Sequence, residues 1–568
     1  MLTCVAVTGL SLFLNLYGIR RALPSSERIE LLFGSSENLE NSLPDLNALF
    51  KRGESFDQFV EPTPELELLS PYLDLIRTYH SDEAYFLKYI ANLDPARFDF
   101  DPKIYKYGSL QVYLVALLLK IGETPGWVEV TKDINFYVLH PESFAKFYLV
   151  ARLASAFMGA LAVFFVTLAS WKMFGRWVGL LSGLALAVMP LFALSAHFGK
   201  VDVPSTFWVA LSIYFVALLL ERWTWKRLLL ASVAAGLAFS TKYPAGIALV
   251  AVWMGVLVAH REVPPDRIGV RKFKELLISF STFLIVFFLT SPFVFIRLGE
   301  SLSAVAGEVM TQYGRPEGVS AFSFGEFLRV GRTFVSTHKN QAASLGLTSG
   351  WGLFFASLAG VLLALFRRAR ADFVLLIPAA LFFAVVGAGK LPYPEYMLPL
   401  LPFLAVLFGR GAATITVLFR RFRLGVLPAI VTALLLTYSL LFTFAYDRVM
   451  AHRDVRREAS IWISGNLIPG SAIGMFKYPV IYRMPFIRQG RFVIVPVDRM
   501  TVWPRYFILT SDEYRSDVRD IMFFVGSYRL LKKFPSDVRF LGIRFPSLCD
   551  RIGSGLGQIS PWIEIYER

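Results

Sequence analysis

Long apolar runs separated by short polar stretches dominate the first four-fifths of the chain. Runs of membrane-crossing length, roughly 17 to 25 residues each, are read at about 2–18, 148–171, 177–194, 203–221, 227–241, 243–260, 276–296, 350–366, 372–388, 393–416 and 424–446. Eleven transmembrane helices are predicted. The stretch Ser109–Leu119 is apolar but too short for a hydrocarbon core of ~30 Å, and is read as an interfacial helix. Beyond Tyr446 the pattern changes. Asp454–Gly465 reads as an amphipathic helix with Ala459, Ile461, Trp462 and Ile463 on or near its apolar face, and Phe492–Val497, Arg505–Leu509 and Ile563–Tyr566 read as short strands. The predicted architecture is an α-helical polytopic membrane protein with residues 1–446 in the membrane domain and a small C-terminal α/β domain at 447–568.

The charges give this pattern a direction. Lys172 with Arg176; Arg222, Lys226 and Arg227; Arg261, Arg267, Arg271, Lys272 and Lys274; Arg367, Arg368 and Arg370; and Arg420, Arg421 and Arg423 fall in every second connection, as expected of cytoplasmic loops. The N-terminus is then cytoplasmic, while residues 19–147, Asp202, Lys242, the 297–349 loop, Lys390 and the C-terminal domain lie outside. Arg20 and Arg21, at the outer end of the first run, go against the rule. The first run lacks the basic region and small-residue cleavage site of a signal peptide and is read as a span.

Composition agrees: 568 residues, 55% hydrophobic, 15% aromatic, only 18% charged, mean hydropathy +0.53. The formal charge of +15 is scattered between apolar runs, which makes it a topology signal and excludes a nucleic-acid stripe. Two cysteines, Cys4 and Cys549, exclude a disulfide framework and a thiolate metal site. No Gly-rich phosphate loop, Gly-x-Ser-x-Gly or HExxH occurs.

Candidate chemistry collects at the outer connections. In His80-Ser81-Asp82-Glu83, Ser81 is a good helix N-cap and acids suit a first helical turn, so the segment reads as a capped helix start. A carboxylate there is also placed to act as a general base on an acceptor hydroxyl or to ligate a cation. Asp202, in His197-Phe198-Gly199-Lys200-Val201-Asp202-Val203-Pro204, is an interfacial residue paired with Lys200 or His197, or a second external acid. Lys242 with Tyr243, and Lys390 with Tyr393 and Tyr396, fit snorkelling cations and interface aromatics, or equally a site for a lipid-borne phosphate. Arg315 and Lys339 are weaker candidates of the same kind, and His338 stands alone.

The order of these segments resembles a known family. His80 to Glu83 comes first, followed by Tyr105-Lys106-Tyr107-Gly108-Ser109-Leu110, Ala151-Arg152-Leu153-Ala154-Ser155-Ala156, Lys200 to Pro204, Thr241-Lys242-Tyr243 and Tyr393-Pro394-Glu395-Tyr396 through Pro402, with Asp454 to Gly470 opening the last domain. Together they resemble the C-type superfamily of integral-membrane glycosyltransferases, in the branch of protein O-mannosyltransferases and the lipid A aminoarabinose transferase. The resemblance implies inverting sugar transfer from a polyprenyl phosphate donor to a hydroxyl-bearing lipid, glycan or protein at the outer face of the plasma (inner) membrane.

By that resemblance Asp82 is the catalytic base, Glu83 assists, and Asp202 is the second acid near the acceptor or a metal. Lys242 and Lys390 meet the donor phosphate, with Tyr243, Tyr393, Tyr396, His80 and Lys200 lining the substrate. Whether Asp82 and Asp202 hold a divalent cation is open. Arg20 to Tyr79 is longer than the family's usual lead-in to the acidic pair, and Ser81 stands where many relatives have Pro. The 297–349 loop shows no β-trefoil-like insert, which argues against a eukaryotic-type protein acceptor. The rival class is a transporter or lipid flippase, which would place ionisable groups at mid-membrane. An inactive scaffold of the same fold is the third alternative.

Overall fold

A computed structural model describes residues 2–51, 67–259, 265–313, 324–391, 393–421, 426–482, 484–512, 526–549 and 555–568. The candidates Arg261, Arg315 and Arg423 lie outside them. Over its described residues, every apolar run is mainly helical. Pro punctuates several of these runs, because the residue before it is driven out of helical geometry. Arg176–Val188 ends at extended Met189 before Pro190, Pro265–Thr290 ends at Ser291 before Pro292, and extended Tyr393 precedes the 3₁₀ turn Pro394–Leu400.

Length limits how many of these helices cross a bilayer alone. Five helices among the described residues are long and apolar enough: Pro141–Phe174, Asp202–Glu221, Ile268–Thr290, Pro394–Arg420 and Val426–Asn466. A sixth is reached only if Val335–Ser349 and Trp351–Arg367, bent by 118° at Gly350, count as one span. Leu2–Leu16, Arg176–Val188 and Tyr243–Val258 are apolar but shorter; at 1.5 Å per residue, the 15 residues of the first rise about 22 Å. The chain is thus a multi-pass membrane protein in which several of the eleven runs fall short of the length test.

The chain divides into two compact units. The first comprises Met1–Tyr17, Asn92–Leu114 and Leu153–Phe444, and consists of the apolar helices. Small residues bring these helices close. A Cβ on Gly360 would sit 2.1 Å from the Leu407 carbonyl oxygen, and Gly411 meets Gly360 in turn, the small-on-small packing that substitutes for hydrophobic drive in lipid. Gly108 lies equally tight on the Ser240 carbonyl, at 2.0 Å for a Cβ.

The second unit joins Gly18–Ala91 and Val115–Arg152 to Ala445–Arg568. The predicted C-terminal elements form: helix Val455–Asn466, capped by the Asp454 carboxylate on the Arg456 and Arg457 amides, then β1 (Ala472–Met475), β2 (Val493–Pro496), β3 (Tyr506–Thr510), β4 (Arg529–Phe534), β5 (Arg539–Phe540), β6 (Ile543–Arg544) and β7 (Ile563–Glu567). Five strands make one sheet in the order β2-β1-β3-β7-β4, with β1 parallel to its neighbours and β7 antiparallel to its own.

On the helix, Val455, Ala459 and Ile463 are buried at four-residue spacing, and Ile461 faces out, a correction to the expected apolar face. A second core joins Leu32, Leu39, Leu46, Leu73 and Ile76 of the first loop to Ile481, Tyr482 and Phe486. The described part of residues 18–91 therefore shares a hydrophobic core with the C-terminal stretch. The expected interfacial helix is Leu110–Glu123; Leu117, Leu118 and Ile121 are exposed along it.

Candidate functional site

In the second unit the acidic pair opens helix Ser81–Ala91. The cap is not the one expected: Ser81 is inside the helix, and the buried His80 ring Nδ1 accepts the Asp82 amide proton at 3.3 Å. Because the two carboxylates are adjacent on a helix they point about 100° apart, and the fold treats them oppositely. Asp82 is exposed to solvent; Glu83 is 1% exposed.

Arg152 accounts for Glu83. Its Nε donates to Oε1 at 2.8 Å and its Nη2 to Oε2 at 2.6 Å, the bidentate fork that matches a carboxylate, while Thr78 Oγ1 donates to Oε2 at 2.9 Å. The remaining guanidinium nitrogen donates to the carbonyls of Ile19 and Arg21, 2.7 Å each. Arg152 thereby ties the chain leaving the first apolar helix to the start of Ser81–Ala91. Its partner lies 69 residues away, a relation that no local pattern signals.

A related cluster lies nearby in the same unit. The buried Tyr79 hydroxyl donates to Asp454 Oδ2, and the Arg456 guanidinium lies 4.5 Å from the Tyr79 ring centre. Burial, and then the Asp454 charge, push the Tyr79 phenol well above its ordinary range.

In the first unit Asp202 opens helix Asp202–Glu221 and is buried. Lys242 follows helix Trp225–Thr241 in extended conformation, which turns its side chain out of the helical course. The ammonium of Lys242 is 2.5 Å from Asp202 Oδ1, and that of Lys200 is 3.4 Å from Oδ2; both lysines are also buried. The Tyr396 ring centre is 5.0 Å from the Lys242 ammonium, a cation–π distance, and Tyr393 packs on Tyr396 at 5.6 Å.

The Tyr243 hydroxyl meets the carbonyls of Tyr105 and Tyr107 at 2.8 and 3.1 Å, fixing the Tyr105–Gly108 segment next to its helix. The structure therefore brings Lys200, Asp202, Lys242, Tyr393 and Tyr396 together as one hydrogen-bonded and stacked group. Asp202 pairs with Lys200 as foreseen, while the ring nitrogens of His197 meet the carbonyls of Ala193 and Tyr17.

Lys390 behaves differently. It is exposed, and its backbone amide donates to the Gln312 carbonyl at 2.7 Å; no described contact ties its side chain to the Asp202 group. Lys339 is exposed, and His338 Nε2 meets the Ala384 carbonyl. Sequence reasoning missed Asp101, which holds the Tyr105 hydroxyl at 2.9 Å and lies 3.7 Å from Arg297. The spacing Asp101 to Tyr105 was the available signal.

A metal fits Asp202 poorly. Both of its oxygens face an ammonium group, and a divalent cation would have to displace two buried lysines. Among the described residues no three His, Cys, Asp or Glu side chains stand together as a ligand set.

Residues 144–296 match the family model of dolichyl-phosphate-mannose-protein mannosyltransferase. The resemblance read from the motifs is borne out over that stretch. It contains Arg152, Lys200, Asp202, Lys242 and Tyr243. No curated protein sequence matches the chain.

Among solved structures, the chain is similar to the oligosaccharyltransferase of Archaeoglobus fulgidus, seen in complex with zinc and sulfate, at 16% identity and a TM-score of 0.43, over 73% of this chain and 60% of that one. It is also similar to ArnT of Cupriavidus metallidurans bound to undecaprenyl phosphate, at 15% identity and 0.43, over 95% and 96% of the two chains. The chain spans about 60% of the length of the archaeal protein. At these scores the likenesses decide neither fold nor function.

Proposed function

We propose that this protein is a membrane glycosyltransferase that moves a sugar from a polyprenyl-phosphate-linked donor to a hydroxyl-bearing acceptor at the outer face of the membrane, with inversion. The observation that carries this reading is the division of labour at the acidic pair. Glu83 is engaged by Arg152 and Thr78, and Asp82 beside it is exposed, in a chain whose 144–296 segment matches a lipid-phosphate-dependent mannosyltransferase model.

In this mechanism Asp82 accepts the proton of the acceptor hydroxyl. The hydroxyl oxygen bonds to the anomeric carbon as the bond from that carbon to the phosphate oxygen breaks, and the polyprenyl phosphate leaves with its electron pair. A positioned base of this kind contributes about 10²- to 10⁴-fold. Glu83 is a positioning residue that holds the helix start through Arg152. Taken by itself in the first unit, the Lys242 and Lys200 pair carries a net surplus of one positive charge over Asp202, the chemistry that a lipid-borne phosphate calls for, with the Tyr393–Tyr396 pair stacked beside it. No step requires a metal. The outward orientation of residues 19–147 and of 447–568 belongs to the same proposal and rests on the alternating loop charges.

The test is to incubate the purified protein with a panel of polyprenyl phosphate sugars, with and without chelator, and to follow donor consumption. Turnover of at least one donor, abolished by Asp82→Asn and insensitive to chelator, supports the reading. Failure to bind or consume any lipid-linked sugar sinks it.

A further inference from the structure

The second unit contains a cavity of about 430 Å³ that the proposed transfer does not use. Its wall includes four basic groups, Arg20, Arg28, Lys146 and Arg457, and three acids, Glu27, Glu142 and Asp454. The wall carries a net charge of one positive, and each acid already has a hydrogen-bonding or ion-pairing partner of its own. Glu27 pairs with Arg457 at 2.5 Å. Glu142 Oε1 accepts the Ser26 amide. Asp454 accepts the amides of Arg456 and Arg457 on one oxygen and the Tyr79 hydroxyl on the other.

Arg28 is likewise occupied, donating to the carbonyls of Ala22, Asp74 and Arg77. Arg20 and Lys146 are left: among the described residues no ion pair engages either one. The cavity therefore offers two uncommitted cations beside an apolar wall of Leu23, Leu149 and Phe486.

Both cations flank apolar helices. Arg20 follows the apolar helix Leu2–Leu16 by four residues, and Lys146 lies in the second turn of Pro141–Phe174, just before its apolar stretch. Arg20 and Arg21 are also the two basic residues that contradict the loop-charge pattern. Arg21 has a structural reason, since its guanidinium donates to the carbonyls of Val449, Arg453 and Ile559. Among the described residues the Arg20 side chain makes no such bond.

We propose that this cavity binds a phosphate monoester, with the Arg20 guanidinium and the Lys146 ammonium donating to its oxygens. The place of the two cations beside the ends of apolar helices points to a lipid head group, whose glycerol or sugar would lie on the Leu23, Leu149 and Phe486 wall. The inference does not rest on the transferase reading, and its test uses no sugar donor.

The full-length protein is placed in phosphatidylcholine nanodiscs doped with phosphatidic acid, and retained lipid is read by native mass spectrometry; in a second arm, detergent-solubilised protein is titrated with inorganic phosphate and its melting temperature followed. Arg20→Gln, Lys146→Gln and the double variant are compared with wild type. Selective retention of phosphatidic acid, weakened about tenfold or more in the double variant, establishes the site with a lipid source. Stabilisation by inorganic phosphate alone, lost in the same variants, establishes it with a soluble source. Equal behaviour of wild type and the double variant in both arms, or no response of wild type to either phosphate source, overturns it. Arg20 is exposed, so Arg20→Gln remains a readable variant even if Lys146→Gln folds poorly.

Discussion

Arg152 grips Glu83 through two hydrogen bonds of 2.6 and 2.8 Å inside the protein, leaving the neighbouring Asp82 exposed on the same helix. The two carboxylates should therefore fail differently. Asp82→Asn is expected to fold and insert and to lower turnover by about 10²-fold or more. Wild-type-like turnover would remove Asp82 from the mechanism.

Glu83→Gln strands a buried guanidinium without its counter-charge, and Arg152→Met does the same to the carboxylate. Removing one partner of a buried ion pair costs about 3–5 kcal/mol. Both variants should lose that much in chemical or thermal unfolding, and the double variant Glu83→Gln/Arg152→Met should recover part of it. Additive losses in a double-mutant cycle would show that the pair is not coupled.

Asp202 and Lys242 form the corresponding pair among the apolar helices. Asp202→Asn leaves two buried lysines facing each other, and Lys242→Met leaves Asp202 with only the longer contact to Lys200. The first should be the more destabilising, by about 3–5 kcal/mol. If Lys242 also meets the donor phosphate, Lys242→Met lowers donor affinity in equilibrium binding. Unchanged donor binding in a folded Lys242→Met protein would confine the residue to structure.

Tyr79 makes stability sensitive to alkali. Its folded-state pKa is raised by burial and by Asp454, so the folded protein keeps a proton that the unfolded chain loses near pH 10. The contribution is complete below pH 10 and declines as pH rises above it, by about 1.4 kcal/mol per unit until the folded pKa is reached. The stability of wild type relative to Tyr79→Phe should be flat from pH 7 to 9 and fall beyond 10. A difference that stays flat above pH 10 would contradict the assignment.

Gly360 tests helix packing. A valine there collides with the Leu407 backbone, and overpacking of this kind costs about 1–3 kcal/mol. Gly360→Val should lower the melting temperature in detergent, whereas Gly299→Val, at an open position, should not. Equal effects would mean that the close approach is not limiting.

Local patterns were legible because they need only neighbouring residues. The 3.6- and 2-residue periodicities placed the helix at 455–466 and three of the five main-sheet strands within a residue or two. The strands missed were β1, four residues long, and β4, whose Arg-Leu-Leu-Lys-Lys-Phe is mostly exposed at the sheet edge and so lacks alternation. The count of spans was less secure, since apolar length alone does not register where Pro190, Pro292 or Pro394 interrupts a helix until the backbone is seen.

By itself, then, the sequence determined that this is a multi-pass helical protein with a mixed C-terminal segment, and that its acids and bases gather in the connections between apolar runs. The tertiary structure decided what those groups do. It buried Glu83 against an arginine 69 residues away, joined Asp202 to a lysine 40 residues away, left Asp82 in solvent, and packed the first loop into one core with the C-terminal stretch. Hydrophobic periodicity is fixed by nearest neighbours along the chain, whereas the partner of a charge is fixed by which surfaces the whole fold removes from water.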